Sequence, residues 1–500
     1  MQIREEKCPE SDYKGISNGI IGEERRHICT HIQRGKGSSI VMIPKRVDAF
    51  LEKHFSGKTM TYRNITALVL PLFVDQMFLA CLNLFNTLII SNSGLEAVSA
   101  VKMVDSINSL VLNVLVALAT GGTIVVAHCN REKEKKQVYP AMRSAVFLVC
   151  TVAMVLGIVI SIFSPLILAV LFGQIPVSLM EQAEQYMFGS AVSYFGFSIM
   201  EAVCGALRGV GRTRSSLVLT ITMHVTYFGL NYLFITIGNQ GIRGMMLSMI
   251  ISRYLAAGLA VLHLLQVKRD YPQSWHHSKW IDMRLIRKMF TVGGPFASEQ
   301  IFFNGGKIIT QTYIVGMGTL AIATDAIATA LTAIFQIPAN TFALAIVTIV
   351  GRCIANHDSE QAKKSVRSFV VMTCASFLFM GVVLLPFLQS IVSVFGPTEQ
   401  IERDIFVLML LNTAMQGFLW AGSFLVPAAL RAAGDLKFTS ATGLVTMWVV
   451  RVALGYVLGV VCGLDVLGIW LAMEFEWAVR AVMYTVRFRS RKWMTHPLVV

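Results

Sequence analysis

Twelve apolar stretches fix what this chain can become. They run near residues 65–90, 98–127, 144–172, 186–207, 215–237, 244–266, 289–315, 320–350, 366–395, 404–428, 438–462 and 465–487. Each offers the roughly 20 apolar residues a helix needs to cross a bilayer. The fold they predict is an all-α membrane protein of twelve transmembrane helices. Only 14% of the 500 residues are charged, against about 25% in soluble domains. Residues 1–58 are polar and lack the apolar core of a signal peptide. The cysteines are scattered without paired spacing, which fits neither a disulfide framework nor a zinc site.

The net charge of +14 invites a nucleic-acid reading until the charges are placed. Arg131, Lys133, Lys135, Lys136 and Arg143 follow the second stretch. Arg208, Arg212 and Arg214 follow the fourth, and the loops after the sixth, eighth and tenth are similarly basic. The alternate loops carry only Arg243 and Arg403. This is the asymmetry of basic cytoplasmic loops. It predicts a multi-pass plasma-membrane protein with both termini cytoplasmic, and no nucleic-acid partner.

The second half repeats the first. Pro71, Asp75 and Gln76 recur as Pro295, Glu299 and Gln300, 224 residues later. Gly94 pairs with Gly318 and Gly244 with Gly468 at the same offset. Ala206-Leu207-Arg208 and Gly211 recur at 223 as Ala429-Leu430-Arg431 and Gly434, and Thr123 recurs at 225 as Thr348. Six spans per half make both halves enter the membrane in one sense. The expected architecture is two six-helix lobes related by a parallel repeat, with a cavity between them near the midplane. The boundaries expected are a tail over 1–60, a first lobe over 61–266, a linker over 267–288, a second lobe over 289–490 and a tail over 491–500. Within the first tail, residues 44–56 place Val47, Phe50, Leu51 and Phe55 on one face, predicting a short amphipathic helix on the inner membrane surface.

Acids inside spans cost about 2.5–3.5 kcal/mol each on insertion scales and are read as functional by default. Asp75 and Glu299 keep an acid in both copies of the repeat; their alternative role is a latch beside the helix-weakening Pro71 and Pro295. Asp105 and Asn108 share a helical face at i, i+3. Asn86 precedes them across a short loop, so the three predict an oxygen-rich pocket for a proton relay or a sodium ion at Asp105 and Asn86. Lys102, also three residues from Asp105, equally allows an ion pair that neutralises the acid. Asp325 is the candidate counterpart in the second lobe. Gln76, Gln300, Asn304 and Lys307 are candidates for the substrate cavity. Glu201 is expected to meet Arg208, and Glu474 and Glu476 to pair with Arg480 or Arg451. No metal-ligand cluster, nucleotide loop or nucleophile–base pair argues for an enzyme: Gly209-Val210-Gly211-Arg212-Thr213 lacks the lysine of a phosphate loop.

Several stretches resemble the multidrug and toxic compound extrusion (MATE) family. They are Ala-Leu-Arg-Gly-Val-Gly at 206–211, Ala-Leu-Arg-Ala-Ala-Gly-Asp at 429–435, Gly-Met-Gly-Thr-Leu-Ala at 316–321, Asn-Gly-Gly-Lys at 304–307 and Glu-Trp-Ala-Val-Arg at 476–480. The resemblance covers about residues 60–490. It implies a monomeric exporter of small molecules, working by alternating access and driven by inward H⁺ or Na⁺, with no other cofactor. It also implies a coupling aspartate late in the first span, where this chain has Asn86. An amide cannot take up and release a proton near neutral pH, though its carbonyl can ligate sodium. The substrates expected are amphipathic cations, drawn by the acids; the alternative is an anionic or lipid-linked compound, drawn by Lys102, Lys307, Arg253 and Arg451, against which the twelve spans and the acids weigh.

Overall fold

A computed structural model describes residues 52, 55–131, 137–173, 175–270, 282–356, 358–395, 398–490 and 493. Among them all regular structure is helical. The first half comprises α1 (Tyr62–Ser91), α2 (Leu95–Arg131), α3 (Val138–Phe172), α4 (Val177–Gly209), α5 (Thr213–Ile237) and α6 (Gly241–Asp270). The second comprises α7 (Met283–Gly316), α8 (Thr319–Phe335), α9 (Ile337–Ala355), α10 (Ser359–Ser393), α11 (Glu399–Ala432), α12 (Leu436–Val461) and α13 (Asp465–Arg489). Sequence predicts one helix over 320–350, and the structure breaks it at Gln336. Pro338, in the first turn of α9, has no N–H to continue the ladder from α8. Taken together α8 and α9 make one crossing, so the described helices make twelve. Pro71 and Pro295, by contrast, sit inside continuous helices.

The sequence repeat is visible in the turns. Gly94 (φ +101°) and Gly318 (φ +103°) close the turns after α1 and α7; Gly211 (φ +88°) and Gly434 (φ +96°) close those after α4 and α11. A Cβ is strained in this left-handed region, which is why these four landmarks are glycine.

The halves exchange their opening helices. α1 lies chiefly on α8 and α9, while α7 lies on α2 and α3. The larger apolar core runs through α2, α3, α4 and α6 and takes in Met289 and Ile314 of α7 and Trp470 of α13. A smaller one joins Ile327 and Leu331 of α8 to Leu388, Ile405 and Met409, with Leu84 and Leu88 of α1 packed against it. Outward faces carry exposed Ile162, Val170, Val382 and Phe418, which suit acyl chains.

α1 begins and α13 ends at one face of the bundle, called here the terminal face; the other is the far face. Near the terminal face α2 and α7 cross almost backbone to backbone. A Cβ on Gly121 would stand 2.7 Å from the Met289 carbonyl oxygen and 2.8 Å from Gly293 Cα. Gly121→Ala is therefore expected to push the halves apart there at a cost of about 1–3 kcal/mol. Gly258→Ala is the control: nothing lies within 4 Å of its added Cβ, and alanine suits a helix better. Thermal unfolding should show a lowered midpoint for the first and an unchanged or raised one for the second; equal midpoints would refute the close crossing.

A strap precedes α1. The Thr59 and Met60 N–H groups donate to Gln361 Oε1 (2.8 and 3.2 Å), Gln361 Nε2 donates to the Met60 carbonyl (2.7 Å), and Lys364 Nζ donates to the Ser56 carbonyl (2.8 Å). Val47, Phe50 and Leu51 of the expected amphipathic helix lie outside the described residues. Phe55 turns inward instead of lying on the bilayer: it is buried and meets Phe369 edge-on at 5.7 Å, in an aromatic cluster with Phe342.

Candidate functional site

Two chambers of about 500 Å³ each lie against the seam. The first is walled by α1, α2, α4, α5 and α6 and closed by α8; the second is walled by α7, α8, α11, α12 and α13 and closed by α2. Lys102, Asp105, Ser109, Thr329 and Ala333 line both, so the chambers meet where α2 faces α8.

In the first chamber Asp105 is the acid among the lining residues. Its Oδ1 accepts from Asn108 Nδ2 (3.1 Å) and from Tyr186 Oη (3.1 Å). Asn108 Nδ2 also reaches Ser190 Oγ (3.0 Å), and Asn108 Oδ1 accepts from Tyr194 Oη (2.5 Å). Local periodicity explains the set. Tyr186, Ser190 and Tyr194 are spaced by four on α4 and present one polar face to the i, i+3 pair Asp105 and Asn108 on α2. Arg253 Nη1 donates to Ser193 Oγ (2.7 Å), and its guanidinium lies over Phe197 (5.2 Å). Asn86 lines the same chamber, its Oδ1 accepting from Asn231 Nδ2 (3.0 Å).

Where the chambers meet, an ion pair ties the halves. Lys102 Nζ lies 3.1 Å from Asp325 Oδ2 and donates to Thr329 Oγ1 (3.0 Å), while Trp470 Nε1 donates to Asp325 Oδ1 (3.0 Å). This corrects two expectations. Lys102 pairs across the seam, not with Asp105 on its own helix, because α8 of the other half brings a carboxylate closer. Asp325 is thereby a bridge rather than the centre of a second-lobe pocket like that of Asp105. Ser99 Oγ, one turn earlier on α2, donates to the Thr319 carbonyl (3.3 Å), so the halves also touch near the far face.

The second chamber has a different character. Trp420 stacks on Phe424 (5.0 Å, 29°), which meets Trp477 edge-on (5.2 Å). Lys307 is exposed to the space, its Nζ over the Phe303 ring at 5.0 Å. Arg480 lies over Phe424 (5.1 Å) and is paired with the buried Glu476 (2.9 Å). Arg451 lines the chamber without an acid within ion-pair distance among the described residues.

A two-lobed helical bundle with polar chambers on its seam fits a transporter, and the family follows from one finding. The MatE family model matches residues 71–233 and again residues 295–457, two matches 224 residues apart. The chain belongs to the MatE family. It is 23% identical to the probable multidrug resistance protein NorM of Thermotoga maritima, over 86% of this chain and 93% of that one. To the uncharacterized transporter YisQ of Bacillus subtilis it is 22% identical, over 86% and 95%. Its fold is similar to an inward-facing multidrug resistance MATE family transporter of the MOP superfamily, with a TM-score of 0.73 at 14% identity over 82% of this chain and 93% of that one.

Set in this MatE protein, the residues singled out from sequence separate into two groups. Asp105 and Asn86 line the first chamber, with Asn108 bonded behind Asp105; Asp325 and Lys307 line the second. Asp75 bonds Gln76 (3.3 Å), Glu299 accepts from Ser440 Oγ (2.8 Å), and Asn304 donates to Gln300 (2.9 and 3.2 Å). These five line neither chamber, so Gln76, Gln300 and Asn304 are removed from the cavity walls. Asp75, Gln76, Glu299 and Gln300 lie on the terminal side of the chamber-facing turns of α1 and α7, and Asn304 lies between the lining residues Phe303 and Lys307 but is buried against Gln300. Glu201 meets Arg208 (2.6 Å) and Glu476 meets Arg480, as expected, but both oxygens of the buried Glu474 are unpartnered among the described residues. Sequence reasoning missed Tyr186 and Tyr194, although hydroxyls two helical turns apart in an apolar span were a legible signal. The aromatic wall of Trp420, Phe424 and Trp477 joins two distant spans and leaves no such signal.

Proposed function

We propose that this MatE protein is a secondary antiporter that exports amphipathic organic compounds by alternating access, with its terminal face cytoplasmic and Asp105 as the coupling group. The single observation that carries this reading is the setting of Asp105. Both of its protein donors reach Oδ1, which leaves Oδ2 without a hydrogen-bond partner among the described residues, in a chamber that also contacts the substrate-sized space across the seam.

The geometry favours a proton over sodium. A sodium ion needs several hard oxygen ligands. Here the side-chain oxygens of Asn86 and Asn108 each already accept one hydrogen bond, which leaves each a single lone pair for a cation, and the Asn108 amide nitrogen, not its oxygen, faces Asp105. A proton needs only the open Oδ2. Protonation weakens Asp105 as an acceptor for Tyr186 and Asn108, which loosens α4 from α2 within the first half, beside the seam. One charge moving inward through about 100 mV supplies about 2.3 kcal/mol, roughly a 50-fold gradient of exported solute.

The test is transport by the full chain in proteoliposomes under imposed gradients, with fluorescent amphipathic dyes of either charge as cargo. Movement is expected under a proton gradient and not under a sodium gradient alone. Dependence on sodium would refute proton coupling. No movement of any dye under either gradient, by protein shown to be folded, would refute the exporter reading.

A further inference from the structure

We propose that the second chamber is the substrate site and selects amphipathic aromatic anions, carboxylates in particular, through Lys307 and Arg451. The proposal rests on the exporter reading for its biological meaning, but the site itself stands on separate observations.

Unsatisfied donors come first. Arg451 Nε, Arg480 Nε and Gln311 Nε2 are buried without hydrogen-bond partners among the described residues, and all three side chains line this chamber. Arginine carries donors and no acceptor, and the Arg451 guanidinium lines the chamber with no hydrogen-bond partner among the described residues. A buried donor without a partner is costly, more so in a charged group, so a guanidinium left in this state favours an acceptor brought to its accessible edge. A planar carboxylate accepts two parallel bonds from a guanidinium, which matches Arg451 better than a single-point acceptor would.

Charge balance points the same way. Of the four lining cations, Lys102 is held by Asp325 (3.1 Å) and Arg480 by Glu476 (2.9 Å). Lys307 and Arg451 have no acid within ion-pair distance among the described residues, and the lining acids are Asp105 and Asp325 at the shared rim. Glu474 and Glu476 do not line the space, but both lie within electrostatic reach of Arg451 from behind the wall and offset part of its charge. The wall of Trp420, Phe424 and Trp477 then supplies ring faces for the apolar part of such a molecule.

The repeat shows that this polarity is a divergence between copies of one scaffold. The family match relates positions 224 residues apart. At that offset Lys307 corresponds to Asn83, Arg451 to Tyr227, and Thr329 to Asp105. The first half has kept an acid and no base at these three positions; the second has two bases and no acid. The duplicated scaffold has thus placed Lys307 and Arg451 in the second chamber at positions where the first half carries Asn83 and Tyr227. The two chambers meet at Asp105, Thr329 and Lys102.

The test compares two probes with one ring and opposite charge, naphthoate and naphthylmethyl-trimethylammonium. Equilibrium dialysis against the full chain in lipid nanodiscs, with binding to empty nanodiscs subtracted, gives their affinities. Naphthoate is expected to bind about tenfold tighter or more, the size of one charge-assisted hydrogen bond. Lys307→Gln and Arg451→Gln should each weaken naphthoate about tenfold and leave the ammonium probe unchanged. Lys307 is exposed, so its replacement keeps the test decisive should the Arg451 variant fail to fold. Equal affinities, preference for the ammonium probe, or naphthoate binding indifferent to Lys307→Gln would overturn the proposal. Gradient-driven transport of the same pair in proteoliposomes separates the two readings. Transport of the ammonium probe alone overturns the polarity assigned here and keeps the exporter. Charge-selective naphthoate binding without transport of either probe supports the site and overturns the exporter.

Discussion

Asp105→Asn is expected to lower proton-driven transport by a factor of about 100 or more while leaving the protein folded. The asparagine keeps the shape of the side chain and an oxygen able to accept from Tyr186 Oη and Asn108 Nδ2 at the 3.1 Å contacts now made. What it loses is the open Oδ2 and with it the capacity to take up a proton, since an amide does not titrate near neutral pH. A factor of 100 corresponds to about 2.7 kcal/mol, close to the 2.3 kcal/mol that one proton contributes at about 100 mV. The measurement is initial dye flux against the size of the imposed proton gradient, with thermal unfolding as the check on folding. The expected signature is a flux that no longer rises with the gradient. A downhill exchange of dye for dye, which needs no coupling ion, should survive within a few-fold. If the gradient dependence persists in Asp105→Asn, coupling lies elsewhere, and Asp75 or Glu299, each half-buried on the terminal side, becomes the next group to replace.

The second large effect concerns the bridge. Lys102→Asp or Asp325→Lys alone sets like charges against each other at a contact now 3.1 Å long, with side chains only 21% and 9% exposed. Breaking a buried pair by removing one partner costs about 3–5 kcal/mol, and the partial exposure of Lys102 places this case near the lower end. Each single reversal should therefore lower the unfolding midpoint clearly and reduce transport more than tenfold. The double reversal, Lys102→Asp with Asp325→Lys, restores opposite charges across the same gap. It is expected to recover most of the stability, with a coupling energy of about 2 kcal/mol between the sites. Recovery will be incomplete, because Thr329 Oγ1 and Trp470 Nε1 are placed for the native polarity. Additive single and double effects would show that the two side chains do not hold the halves together.

These two residues illustrate where reading the chain stops. Asp105 is legible in the sequence: an acid inside an apolar span, three residues from an asparagine, is costly enough to stand out unaided. The partner of Lys102 is not. Within α2 the i, i+3 rule offers Asp105, and only the arrangement of α2 against α8 places Asp325 nearer. Glu299 and Gln300 show the converse. Their repeat of Asp75 and Gln76 is plain in the sequence, yet all four sit about one turn short of the chamber-lining stretches of α1 and α7, towards the terminal face.

Sequence alone determined the number of crossings, the duplication, the glycine turns at Gly94, Gly211, Gly318 and Gly434, and the excess of basic residues in alternate loops. Each of these is a local matter: apolar length, left-handed backbone and charge near a span end act through neighbouring residues. Tertiary structure decided the exchange of α1 and α7 between the halves, the Lys102–Asp325 bridge, the tyrosines around Asp105 and the gathering of Lys307, Arg451 and three aromatic rings into one chamber. Those depend on how each helix is rotated about its axis and which neighbour it meets. Side chains from spans more than a hundred residues apart set that rotation together, so no single stretch of sequence records it.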